Sequence, residues 1–217
     1  LGSPTAETVF KSYDNFKTYA WGLYETFPAL GYGETNTDNI SYNSTRGSGE
    51  TDWIRGIVVP PSKTDNTPWA QYSFIRRTNL MLDHIETSDM TETERNFFRS
   101  YRYLTLLSAY GGVPWIDHVL ADDETDIIYG ERDSRDVIAN HILEDLQYAE
   151  QNINQDGDGA NTINRVVVQT LLSRFCLFEG TWRKYHGLQD AEKFLRECKR
   201  ASEEVLKVYP NVHSNYD

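Results

Sequence analysis

Hydrophobic positions recur at helical spacing along most of the chain. The clearest run is 94–115, ERNFFRSYRYLTLLSAYGGVPW. Phe97, Phe98, Tyr101, Leu104, Leu107 and Tyr110 fall at three- and four-residue steps and so share one broad apolar face. Thr91 and Glu94 have the T-x-x-E spacing of a capping box, which satisfies orphan N–H groups at a helix start. Gly111-Gly112 with Pro114 just beyond is a sharp stop.

The same periodicity predicts five more helices. One covers about 8–27, with Val9, Phe10, Tyr13, Phe16, Ala20, Leu23 and Tyr24 inward. A second covers about 69–86, with Trp69, Tyr72, Ile75, Leu80, Leu82 and Ile85 inward. Downstream of the 94–115 run, a helix over about 134–152 carries Val137, Ile138, Ile142, Leu146 and Ala149, and another covers about 164–184. The last, about 190–208, offers Phe194, Leu195, Cys198, Ala201, Val205 and Leu206. Ile57-Val58-Val59 is the best short strand candidate, so the pattern is all-α. Short connections at 86–91 and 184–190 make neighbouring helices antiparallel. The expected architecture is a TPR-like stack of helical hairpins, an α-α superhelix, without a clean repeat of about 34 residues.

One connection breaks this economy. Residues from about 28 to 68 form a loop rich in Gly, Asn, Ser, Thr and Asp, with Tyr32, Tyr42 and Trp53 embedded. Loops beyond about 15 residues are usually functional or disordered. The aromatics and the Ile57–Pro60 run point to an ordered loop packed on the helices, and function is expected there first.

Composition narrows the options. The 217 residues suffice for a sizeable core, and the net charge is −12. An acidic surface disfavours nucleic acid and anionic lipid as partners. Aromatic residues make up 13%; part of them belongs to the core, and the rest can form a stacking surface, since sugar rings pack well on aromatic faces. Cys176 and Cys198 lie in apolar helical stretches and read as free thiols rather than a disulfide. No apolar run approaches the roughly 18 residues of a membrane span, and no signal peptide is visible.

Candidate chemistry is sparse. Asn154-x-Asp156-x-Asp158-Gly159 imitates the start of a calcium loop, but Arg165 stands where the bidentate Glu belongs. A Gly/Asp-rich turn is the better reading. His141-x-x-Glu144 reads as a solvent-facing pair, and Asp117-His118 and Asp83-His84 have no zinc spacing. Asp122, Asp123, Glu124 and Asp126 read as a solvated cluster rather than a glycosidase pair. Nucleophile-elbow, phosphate-loop and dinucleotide fingerprints are missing, so no enzyme, cofactor or metal is expected. Arg76 and Arg77 read as surface charge, and Asn79 as a residue that pins the long loop by a backbone hydrogen bond.

Several motifs together resemble the SusD/RagB family of surface glycan-binding lipoproteins. Trp69-x-x-Tyr72-x-x-Ile75-x-x-x-Asn79-x-x-Leu82 is similar to one family helix. Arg95 through Pro114, with Phe97-Phe98-Arg99, Tyr101 and Tyr110-Gly111-Gly112-Val113-Pro114, resembles a second block. Arg132-Asp-Ser134 with Ile142, Asp145-Leu146 and Ala149 resembles a third. Arg165, Leu171-Leu172-Ser-Arg174 and Phe178-Glu179-Gly180 resemble a fourth. Ser100, Gly112 and Val166-Val167-Val168 depart from the family pattern, at packing positions.

The resemblance implies a single helical domain over 1–217, the N-terminal part of a family whose members are more than twice as long. The C-terminal half is expected to lie outside this chain. It also implies non-catalytic binding of oligo- or polysaccharide at the outer membrane surface, for delivery to a SusC-like TonB-dependent transporter. Membrane contact would run through a lipid anchor not present in this chain. By the same resemblance Trp53 is the stacking platform and Arg46 a donor to sugar hydroxyls, with Asn43, Asp52, Tyr42 and Trp69 as further ligand-binding candidates. Trp53 as a simple loop anchor stays open beside this. So does the alternative of a TPR-type protein-interaction scaffold without sugar binding.

Overall fold

A computed structural model of the chain describes residues 9–27, 69–85 and 93–211. All regular structure among them is helical: α1 (Tyr13–Leu23, continued by a 3-10 turn, Tyr24–Thr26), α2 (Gln71–Ile85), α3 (Thr93–Tyr110), the short α4 (Thr125–Ile128), α5 (Arg135–Asn152), α6 (Arg165–Tyr185) and α7 (Ala191–Val208). The sequence predicts the starts of α5 and α6 well because side-chain caps set them. Ser134 accepts the Val137 N–H and Asn164 accepts the Val167 N–H. The first helix is shorter than the periodicity suggests, because Ser12 caps it by accepting the Asn15 N–H. Thr91, of the expected capping box, and Ile57–Val59 lie outside the described residues.

The helices pack in chain order, and cross-helix pairs show that neighbours run antiparallel. Tyr19 meets Arg77, while Phe10 meets His84. Arg99 meets Asp145 where the Leu107 carbonyl meets Arg135. Glu150 meets Gln169 where Arg135 meets Glu179. Ser173 meets Ser202 where Gly180 meets Leu195. In each set the residue number rises on one helix as it falls on the other, which is the hairpin stacking of a TPR-like array. Gly180 permits a close approach of α6 to α7, since a Cβ there would sit 2.8 Å from the Leu195 side chain.

One continuous core joins these elements, from Phe16 and Leu23 through Phe97, Phe98, Leu106 and Ile142 to Phe175 and Phe194. α3 is buried more deeply than its periodic stripe implies. Tyr103 and Leu106 are fully enclosed beside Leu107, because α2 and α5 pack on it from two directions. Val137 and Leu206, expected inward, are exposed on the rims of α5 and α7. Cys176 is buried, Cys198 half-buried, and both are free thiols.

Two buried ion-pair networks cross the stack. Arg99 forks onto Asp145 with two bonds of 2.7 Å. Burial alone would weaken the Arg99 charge, but Asp145 outweighs it and holds the guanidinium above its ordinary pKa. Glu179, fully buried, receives Arg135 at 2.7 Å and Arg183 at 2.8 Å. These networks pair the buried charges of α3, α5 and α6 with one another and fix the register of those helices.

Candidate functional site

Both flanks of the 28–68 segment dock on α3. At one end Phe27 packs edge-on against Tyr101, with ring centroids 5.3 Å apart. At the other, Trp69 stacks on Tyr110 at 4.8 Å and 16° and lies near-parallel to Tyr72 at 5.9 Å. The guanidinium of exposed Arg132 sits over the Trp69 ring at 5.2 Å. Trp69, Tyr72 and Tyr110 are each half-buried, so together they make an aromatic shelf partly open to solvent.

The shelf rests on the segment after α3. Gly111 adopts φ +73°, the left-handed geometry that ends the helix, and a Cβ on Gly112 would collide with the Asp133 carbonyl. The chain then continues without regular secondary structure through 113–117, and side chains from α2, α3 and the segment before α5 satisfy its backbone. The Tyr72 hydroxyl donates to the Pro114 carbonyl at 2.7 Å. The Tyr103 hydroxyl accepts the Ile116 N–H at 2.7 Å. Asp133 accepts the Trp115 N–H at 2.7 Å. Burial pushes the phenols of Tyr72 and Tyr103 well above the ordinary range, so both stay protonated. Trp115 stacks on His141 at 4.5 Å and 14°.

Asn79 is engaged otherwise than the sequence suggests. It is fully buried and donates to the carbonyls of Ile116 at 2.9 Å and His118 at 3.1 Å. It therefore pins the 115–124 loop, which packs directly on α2. His118, which looks isolated in sequence, lies between Asp117 and Glu124, 2.7 Å from each. Those two hydrogen bonds raise its pKa, Asp117 contributing most. Glu124 in turn accepts the Ala121 N–H, so part of the apparent acidic cluster is a loop clamp. His141 and Glu144 form the exposed pair expected, 3.5 Å apart.

Trp69 is the one predicted ligand-binding residue among those described, and the structure places it in this shelf. Tyr42, Asn43, Arg46, Asp52 and Trp53 lie outside the described residues. Tyr110 and Arg132 join Trp69 without any short-range signal in the sequence. Only the three-residue step from Trp69, in the turn that leads into α2, to Tyr72 sets those two side by side. The shelf offers ring faces, a guanidinium and a nearby carboxylate, Asp133, the groups that grip a hydroxylated ring by stacking and charge-assisted hydrogen bonds. No group of three or more His, Cys, Asp or Glu is arranged to hold a metal among the described residues. No described helix is long and apolar enough to cross a membrane.

No protein-family model matches the chain, and no curated protein does. Solved structures do match. A SusD-like protein from Bacteroides fragilis superposes with TM-score 0.69 at 22% identity, over 95% of this chain and 41% of its own. A SusD-like carbohydrate-binding protein from the same organism gives 0.68 at 17%, over 96% and 43%. B. fragilis NanU gives 0.67 at 17%, over 100% and 46%. The chain thus has the fold of SusD-like proteins, as its motifs imply, and spans under half the length of these three.

Proposed function

We propose that this chain is the helical part of a non-catalytic protein that captures oligo- or polysaccharide at a bacterial cell surface. The observation that carries the reading is the fold shared with SusD-like proteins over nearly the whole chain, two of them described as carbohydrate-binding. The aromatic shelf supports it, because it flanks the segment that carries Trp53 and Arg46. Sugar binding needs stacking surfaces and well-held donors rather than perturbed catalytic groups. In this reading the captured glycan passes to a SusC-like TonB-dependent transporter, and a lipid anchor outside this chain holds the protein to the outer membrane.

Calorimetry against a glycan panel tests the site, with Trp53→Ala and Trp69→Ala beside the parent. Saturable binding that falls at least tenfold in either variant, with stability otherwise retained, supports the reading. Binding unchanged in both variants removes the site from this face.

One observation favours a second reading, a protein-interaction scaffold without sugar binding. A largely apolar groove of about 390 Å³ is lined by Phe27, Phe97, Tyr101, Leu171, Val205 and Tyr209. Copurification of a protein partner, with no glycan bound by the parent, would select the scaffold.

A further inference from the structure

A groove of about 520 Å³ lies between α5, α6 and α7, apart from the aromatic shelf on α2 and α3. That volume falls within the roughly 300–1,000 Å³ of small-molecule sites. Its wall is polar and held in place. Arg200 bonds to Glu150 at 2.5 Å and to Glu197 at 2.8 Å, and Gln147 donates to Glu197 at 3.0 Å. Lys207 pairs with Glu204 at 2.6 Å. The cations Arg165, Arg200 and Lys207 balance the carboxylates Glu150, Glu197 and Glu204, so the groove carries no formal net charge.

Two groups in this wall have capacity to spare. Gln169 is only 7% exposed; its amide N–H donates to Glu150 at 2.9 Å, leaving its carbonyl to accept. Arg165 also lines the groove and donates one Nη to the Ile153 carbonyl at 2.9 Å, which leaves its other Nη to donate. Gln151 and Gln155 add exposed amides at the mouth, each able to donate and accept at once.

We propose that this groove is a second carbohydrate site, for a neutral sugar unit. Charge balance argues against an anion, and the overall charge of −12 argues the same way. Planar amides and a guanidinium suit the paired donor and acceptor demands of adjacent hydroxyls. No aromatic ring lines the groove, so binding rests on hydrogen bonds and is weak, on the order of millimolar. The ligand class rests on the glycan-capture reading, but the residues are separate.

The test is a nuclear magnetic resonance titration of the labelled protein with maltotriose, cellotriose and mannotriose, and with glucuronate as an anionic control. The expected result is a saturable shift of the Gln151, Gln155 and Gln169 side-chain amides with at least one trisaccharide. The exposed pair Gln151→Ala/Gln155→Ala weakens that binding at least tenfold, and Trp69→Ala leaves it unchanged. The proposal is overturned if no trisaccharide moves these amides, if glucuronate alone does, or if the double variant binds as the parent does. Shifts confined to the Trp69 indole overturn this site and support the shelf. Shifts confined to the glutamines support it and count against the shelf.

Discussion

His118 shows how much one side chain does for the loop beneath the shelf. Its two ring nitrogens face Asp117 and Glu124, so its pKa lies above the ordinary value of about 6.5. The Ala121 N–H and then His118 hold Glu124 below the usual carboxylate range. Asp117 is also lowered; burial, the largest single influence, opposes that shift, and the His118 bond, a backbone hydrogen bond and the charges of His118 and Arg99 together outweigh it. The signs follow. The His118 contribution is complete below its unfolded pKa and is lost as pH rises through the folded value. The carboxylate contributions are present above their unfolded pKa, about 4, and are lost as pH falls. The 115–124 loop is therefore held most firmly between these limits. An imidazole titration by nuclear magnetic resonance should place the His118 midpoint above 6.5, and Glu124→Gln should lower it; a midpoint at or below 6.5 in the parent contradicts the clamp.

Asp145 is the second residue with a sharp consequence. Asp145→Ala strands the Arg99 guanidinium, only 7% exposed, without its carboxylate. Breaking such a pair costs about 3–5 kcal/mol. Urea unfolding should report a loss of that size, whereas a loss under about 1 kcal/mol would mean the pair behaves like a surface bridge.

At the scale of elements, most of the helices can be read from the sequence because several boundaries have a local cause. Ser134 and Asn164 cap α5 and α6, and Gly111 stops α3. Ser134→Ala should cost about 1 kcal/mol in the same unfolding assay, with an unchanged value denying the cap its role. Gly180 is a stronger test of the α6–α7 hairpin. A leucine there drives into Leu195 and should cost about 1–3 kcal/mol or more. The site is less legible for a physical reason. Arg99 and Asp145 are 46 positions apart, and Trp69 meets Tyr110 and Arg132 only once α2 and α3 are stacked. Helical periodicity reports which face is apolar; it carries no record of which polar side chains meet across two helices. The same limit hid the destination of Asn79 and the clamp on His118.

At the scale of the molecule, antiparallel hairpins bring both flanks of the 28–68 segment onto a single helix, α3. Phe27 and Trp69 dock near Tyr101 and Tyr110, so the helix that dominates the sequence pattern also bears the proposed capture face. Its rigidity comes from the Arg99–Asp145 pair behind it and from the Tyr72, Tyr103 and Asn79 bonds to the segment that follows. A preorganised aromatic face suits a ligand that offers little apolar area, since little ordering is left for binding to drive. The polar groove between α5, α6 and α7 extends that logic to a second, weaker contact along a long glycan, where linked sites raise avidity without new chemistry.

The most direct measurement is a screen of the native protein on a broad array of oligo- and polysaccharides, followed by calorimetry on any hit. The account predicts saturable binding to at least one glycan, with no turnover of the sugar. Failure to bind any glycan, while a protein partner copurifies, would contradict glycan capture and leave the fold serving as an interaction scaffold.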